Sequence, residues 1–146
     1  MQQSLTIYLS LEEFAAALIA LGRNDEAIGF VRTTLGDLPK EEVKGRLIAG
    51  EHALIARGLL KLEEPPQLQS PLETILEEML DARSLIRANK TSPNGEDVLA
   101  YFLLKERWLE QFTINRWVNR YRVPVSLNEI PDCIKDFYAP KFSPTV

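Results

Sequence analysis

One histidine and one cysteine are the whole supply, in 146 residues, of the side chains that most often bind transition metals or serve as activated nucleophiles. The single thiol, Cys133, has no internal partner, which excludes an intramolecular disulfide and points to a reduced, cytoplasmic setting. A metal site would have to be built from carboxylates, and no EF-hand spacing is present, so neither metal nor cofactor is expected. The seven glycines are scattered, several at helix ends and turns, and form no G-x-G-x-x-G or phosphate-cradling loop, and G-x-S-x-G is also missing. No apolar run approaches the roughly 18 residues of a membrane span. The N-terminus has no basic region followed by an apolar core, so no secretory leader is expected.

What is present is an ordinary globular composition, 45% hydrophobic and 26% charged, in a chain of single-domain size. The charge is unevenly placed. Residues 1–82 hold seven Lys/Arg against fourteen Asp/Glu, residues 83–123 eight against four, and the remainder two against three. The stretch that reads as helical is therefore acidic and the stretch that reads as a sheet is basic.

Residues 1–9 read as a short extended lead. Ser10 and Glu13 form a capping box with Leu9 and Phe14 as its hydrophobic staple, and Gly22 ends that helix. Asn24 or Asp25 caps a second helix that Gly36 terminates. The stretch 39–62 reads as the centre of the fold. At 100° per residue, Val43, Leu47, Gly50 and Leu54 fall on one line and Ile48, Ile55 and Leu59 on the next, with Ala49, Ala53 and Ala56 behind them, a pattern that predicts a buried helix. Gly58 suits its left-handed cap. Gly50 costs about 1 kcal/mol relative to alanine in mid-helix, so another backbone is expected to cross there. Ser70 and Glu73 form a second capping box before an amphipathic helix whose Glu73, Glu77, Glu78 and Asp81 face water.

Near Ser84 the period changes from 3.6 to 2. Strands are predicted over 84–90, 98–104, 108–114 and 117–123, the first two joined by a hairpin loop holding the Asn94-Gly95 signal, and Pro124 closes the last. A third capping box, Ser126 with Glu129, opens a helix with Ile130, Ile134 and Phe137 inward. The expected fold is α+β, with three to four N-terminal helices packed on a four-stranded antiparallel meander and a C-terminal helix covering the sheet. One domain should span 1–138 (helices in 10–82, sheet in 84–123, closing helix in 127–138), followed by a flexible tail over 139–146.

His52 falls between the apolar and alanine faces of its helix and reads as a partly buried structural histidine. Cys133 reads as a passive, partly buried thiol. The pairs Glu63-Glu64 and Glu77-Glu78 read as surface charge. No catalytic residue is assigned. The sharper signal is the run 116–122, in which basic residues alternate with aromatics. On a strand it turns Arg116, Val118, Arg120 and Arg122 one way and Trp117, Asn119, Tyr121 and Val123 the other. Arg116, Trp117, Arg120, Tyr121 and Arg122, with Trp108, are the candidate partner-binding residues.

Two resemblances add to this. The segment 47–62, ending in EHALIARGLLKL, is similar to the part of a winged-helix domain in which the third helix leads into an Arg-Gly-Leu turn and a wing strand. That resemblance implies a DNA-binding regulator. Over most of the chain, the order of features around Ala56-Arg57-Gly58-Leu59-Leu60 and the meander 84–123 resembles one half of the EspG chaperones of type VII secretion. This implies a cytosolic binder that shields a helical partner and performs no catalysis. A non-enzymatic adaptor or chaperone-like domain, meeting a protein partner through a sheet face or edge, is the leading expectation. The DNA-binding regulator stands second, and a small hydrolase or transferase third.

Overall fold

The structure is a computed structural model in which residues 4–93 and 95–140 are described. Asn94 of the expected hairpin signal and most of the expected tail, residues 141–146, lie outside the described residues.

The chain runs β1 (Leu5–Ser10), α1 (Leu11–Ala20), α2 (Asn24–Leu35), α3 (Lys40–Ala56), β2 (Leu60–Lys61), β3 (Gln67–Leu68), α4 (Leu72–Leu80), β4 (Ser84–Ser92), β5 (Gly95–Leu103), β6 (Trp108–Asn115), β7 (Val118–Val125), a 3-10 turn (Leu127–Glu129) and α5 (Ile130–Tyr138). The α+β architecture, with helices before an antiparallel sheet and a helix after it, is as the sequence predicts.

The meander β4 to β7 is extended by a strand that the sequence reading left unpaired. β1 lies antiparallel to β7, from Leu5 opposite Val123 to Ser10 opposite Val118, giving the order β1-β7-β6-β5-β4. Leu5, Ile7 and Leu9 alternate with Thr6, Tyr8 and Ser10, so one face of β1 is apolar and joins the core.

The helices α1 to α4 cover one face of the sheet over β1, β7, β6 and part of β5. There Ile7, Leu9, Leu109, Tyr121 and Val123 meet Phe14, Leu18, Leu54, Leu72, Ile75 and Leu76 in one apolar cluster. Among the described residues the opposite face is covered only by α5, whose Ile130 and Phe137 close over Ala88, Leu99, Tyr101 and Val125. Phe137 meets Phe112 edge-on at 6.2 Å.

The long helix is less buried than its wheel suggests. In α3 only Gly50 and Leu54 are fully buried, Val43 and Leu47 are half-buried, and Ile48 is 45% exposed. One of the two predicted lines therefore forms the seam, while on the other Ile48 faces water and only Ile55 and Leu59, at the end of the stretch, are half-buried against the core. The reason is that α3 packs mainly on α1, and a single neighbour covers a single stripe. At that seam the backbones touch: a Cβ on Gly50 would fall inside the Glu12 carbonyl. Gly58, at φ 73°, caps α3 with Gly58 N–H donating to Ile55 O and Leu59 N–H to Leu54 O, the two bonds of a Schellman motif.

Of the three capping boxes, only the first forms. Ser10 Oγ accepts from Glu13 N–H at 3.0 Å while Glu13 Oε1 accepts from Ser10 N–H at 2.9 Å. Glu13 Oε2 also accepts from Arg57 Nη1 at 2.7 Å, tying the start of α1 to the end of α3. At α4 the cap residue is Pro71 and no side chain caps the helix. At the 3-10 turn Ser126 Oγ accepts from Asn128 N–H, while Glu129 turns to Arg122. Neither Asn24 nor Asp25 caps α2, whose cap position is Arg23 with no side-chain bond.

Candidate functional site

Alternation along β7 turns Val118, Arg120 and Arg122 to the α5 side of the sheet and Asn119, Tyr121 and Val123 to the helical side. Register then decides what the arginines meet. Glu110 on β6 stands opposite Arg122, and Phe112 opposite Arg120. Glu110 is 2% exposed, and its carboxylate is surrounded by donors. Tyr101 Oη donates to Oε2 at 2.7 Å, Arg120 Nη2 to Oε1 at 2.9 Å, and Arg122 to both oxygens through Nε (3.2 Å) and Nη2 (3.1 Å). Arg122 also pairs with Glu129 at 2.9 Å. The Arg120 guanidinium lies over the Phe112 ring, 5.3 Å from its centroid.

Burial works against ionisation of Glu110, but the hydrogen bonds from Arg122 and Tyr101, the Arg122 charge and the Arg120 bond outweigh it and hold the carboxyl below its ordinary value. Burial, then hydrogen bonds with Glu110 and Cys133, push the Tyr101 phenol up. The hydrogen bond to Glu110 is the largest cause raising Arg122 further. The carboxylate is thus committed as an ion to two guanidiniums. Such a group fastens strands together and is poorly suited to proton transfer near neutral pH.

The six residues singled out in the sequence part company in space. Arg116 and Trp117 occupy the β6–β7 turn, where the guanidinium stacks over the indole at 4.6 Å and Trp117 is 44% exposed. Arg120 and Arg122 belong to the Glu110 network, so the arginine face carries its own counter-charges instead of standing ready for an anion. Tyr121 lies on the helical side, 3% exposed and stacked on Phe14 at 5.5 Å, where burial pushes its phenol well above the ordinary range. Trp108 is half-buried against the cluster beneath α5. Tyr121 and Trp108 are therefore packing residues.

Two contributors escaped the sequence reading. Tyr8 is 49% exposed, directly opposite Arg120 in register. Its signal was the Leu5-Ile7-Leu9 alternation around it. Glu110 was passed over because an isolated carboxylate on a strand reads as surface until register places two arginines beside it.

α5 closes over β4, β5 and the Val125 end of β7, and further along the β1–β7 pair Tyr8, Arg120 and Arg122 retain contact with water, with no helix of the described residues packed on Tyr8. The Arg116–Trp117 stack marks the end of the same strand pair, where Trp117 O accepts from Leu11 N–H at 2.9 Å. β1 is the outer strand and has no charged residue between Leu5 and Ser10. His52 is exposed rather than partly buried, and Cys133 is half-buried next to Tyr101. Glu78, expected in water, is half-buried near Arg107. Among the described residues no group of three or more His, Cys, Asp or Glu is placed to hold a metal ion, and no helix is long and apolar enough to cross a membrane. Compared with protein-family models, curated proteins and solved structures, the chain matches none.

Proposed function

We propose that this chain is a non-enzymatic protein-interaction module, adaptor or chaperone-like in character, that binds a protein partner through the open β1–β7 part of its sheet. The observation that carries the reading is the combination of two half-exposed aromatics, Tyr8 on β1 and Trp117 in the β6–β7 turn where it bonds the chain just after β1, with the uncharged outer edge of β1. Tyrosine, tryptophan and arginine supply most of the energy in protein interfaces, and a free edge offers a ladder of backbone bonds to an incoming segment. The Glu110 network supports the surface from beneath and fixes the arginines in place.

The test is a quantitative affinity capture with the intact chain, its Tyr8→Ala/Trp117→Ala variant and a control, Leu62→Ala, at an exposed position just after β2 and outside the five-stranded sheet. A partner recovered by the parent and the control, and lost with the double variant while circular dichroism is unchanged, is the expected result. Equal recovery of every captured protein by all three would sink the reading.

A second reading has one observation in its favour. Three helices are followed by the small antiparallel ribbon β2–β3, with α3 exposed along much of its length, which is the order of a winged-helix domain. Phosphate attraction dominates DNA affinity, and the first 82 residues hold twice as many acidic as basic groups. Arg46 is moreover held by Glu12 and Glu42. Retention of duplex DNA at about 50 mM salt that is lost on Lys40→Glu/Lys44→Glu would support the regulator, and no retention at that salt would dismiss it.

A further inference from the structure

The opposite edge of the sheet carries a second and differently built surface. Among the described residues β4 pairs only with β5 and closes the sheet order. The direction of its outer peptide groups follows from two hydrogen bonds. Val98 N–H donates to Thr113 Oγ1 on β6 at 3.0 Å, so the peptide groups of Val98 turn away from β4. Its register partner Asn89 then turns away from β5, and the Asn89 carbonyl accepts from Tyr138 Oη at 3.1 Å on that outer side. Peptide groups alternate along an antiparallel strand, so the N–H and C=O of Leu85 and Arg87 share that outer edge.

Immediately beside this edge, on the α5 face, an open groove of about 540 Å³ is lined by Ile86, Leu127, Asn128, Ile130, Pro131 and Ile134. Leu127 is 59% exposed. On the other face of β4, Leu85 and Arg87 are exposed, and Arg87 Nε donates to Asn89 Oδ1 at 3.0 Å. Among the described residues neither Arg87 nor Arg83 has a carboxylate within ion-pair distance. From Ser84 to Ser92 the strand has two cations and no acidic residue.

We infer that the β4 edge is a strand-addition site for an extended peptide in which apolar and acidic residues alternate. A strand laid against β4 bonds to the outward groups of Leu85 and Arg87. Its side chains level with Ile86 then enter the groove beneath α5, while those on the other face stand beside Arg87 and Arg83. The period of two in the ligand follows from the period of two in the receptor: apolar toward the groove, carboxylate toward the arginines. A second copy of this chain is a poor occupant, because self-pairing brings Arg83, Arg87 and Lys90 of two strands together. This inference rests on the reading of the chain as an interaction module but uses the edge remote from Tyr8 and Trp117.

The experiment begins with selection of displayed, randomised octapeptides on the intact chain. The best peptide is then measured by fluorescence anisotropy and by amide exchange of the complex. Enrichment of apolar residues at every second position with Asp or Glu between them is expected, together with slowed exchange at the Leu85 and Arg87 amides. Leu127→Glu should weaken binding roughly tenfold or more. Arg87→Glu should do the same, with affinity restored when the peptide's acids are replaced by lysine. Both changes are at exposed positions and should leave circular dichroism unaltered. Trp117→Ala should leave peptide affinity unchanged, so failure of the β4 site and failure of the β1–β7 site are read separately. No enrichment, a three- or four-residue spacing without protection of β4, or equal affinity for the Leu127→Glu variant would overturn the inference. So would β4 protection that rises with protein concentration alone, or peptide binding seen only after removal of residues 141–146.

Discussion

Leu109 and Glu110 are neighbours on β6 and both are sealed from water, yet they point to opposite faces of the sheet. Leu109 enters the apolar cluster shared with α1 to α4, and Glu110 sits among Tyr101, Arg120 and Arg122. The helical side is thus closed by area removed from water, which is non-directional and nearly independent of pH. The α5 side combines a smaller apolar cluster with a buried ion whose desolvation is offset only while all its donors are in place. Closing one face by burial and the other in part by charge is what allows the second face to remain partly open. A salt-bridged face tolerates water at its margin, whereas an apolar one does not.

Adjacent substitutions break this comparison most directly. Leu109→Ala should cost about 4 kcal/mol, from lost transfer energy plus the cavity left in a layer that cannot collapse, with the loss constant across pH. Glu110→Gln should cost about 3 kcal/mol at neutral pH, the lower end for a broken buried pair because Arg120 and Arg122 keep part of their surface in water. That loss should depend on pH. The folded carboxyl is held below its unfolded value, so the network's contribution is complete above about pH 4.3 and disappears as pH falls through the lowered folded value. Urea titrations of the parent and Glu110→Gln should therefore diverge above pH 5 and converge in acid, while the Leu109→Ala gap stays open. A pH-independent Glu110→Gln deficit would show that shape and not charge is what the site provides.

The helical side also contains its own contrast, within one helix. Gly50→Ala drives a methyl into the Glu12 backbone and should cost about 2 kcal/mol or more, since neither backbone can yield alone. Gly45→Ala, five residues earlier, meets nothing within 4 Å and should gain up to about 1 kcal/mol through helix propensity. Thermal or urea unfolding of the two variants checks both signs.

How much of this was legible beforehand depended on whether a feature is local. The crossing at Gly50, the Gly58 cap, the meander and the inward residues of α5 were all read from periodicity or from a single residue's conformational demands. β1 was missed because six residues give little room for a period of two to declare itself, and its pairing with β7 joins the two ends of the chain. The depth of α3 was overestimated because a helical wheel shows which sides are apolar but not how many neighbours arrive to cover them. The alternation of Arg120, Tyr121 and Arg122 was legible, but the ion that neutralises the arginines was not. Glu110 is ten and twelve residues from its partners, and only the register of β6 on β7 brings them to one point.

The smallest effects belong to the three serines that the sequence offers as equivalent caps, and these separate local reading from tertiary choice. Ser10→Ala removes the Oγ that accepts from Glu13 N–H, one of the two bonds of the box, and loosens Glu13, whose other oxygen holds Arg57, so about 1 kcal/mol should be lost. Ser126→Ala removes only the single 3.3 Å contact to Asn128, because Glu129 is engaged by Arg122, and should cost less than about 0.5 kcal/mol. Ser70→Ala should change nothing measurable, since no side chain caps α4. The sequence pattern ranks the three alike, and the structure orders them by where each glutamate is needed. Glu13 answers both its own helix and α3, Glu129 is taken by the sheet, and Glu73 stands at a helix start that its serine does not cap. Unfolding midpoints in that order would show that a capping box is worth its full value only where no stronger partner claims its acid. Equal losses at all three positions would show that local propensity, not tertiary competition, sets the strength of these helix starts.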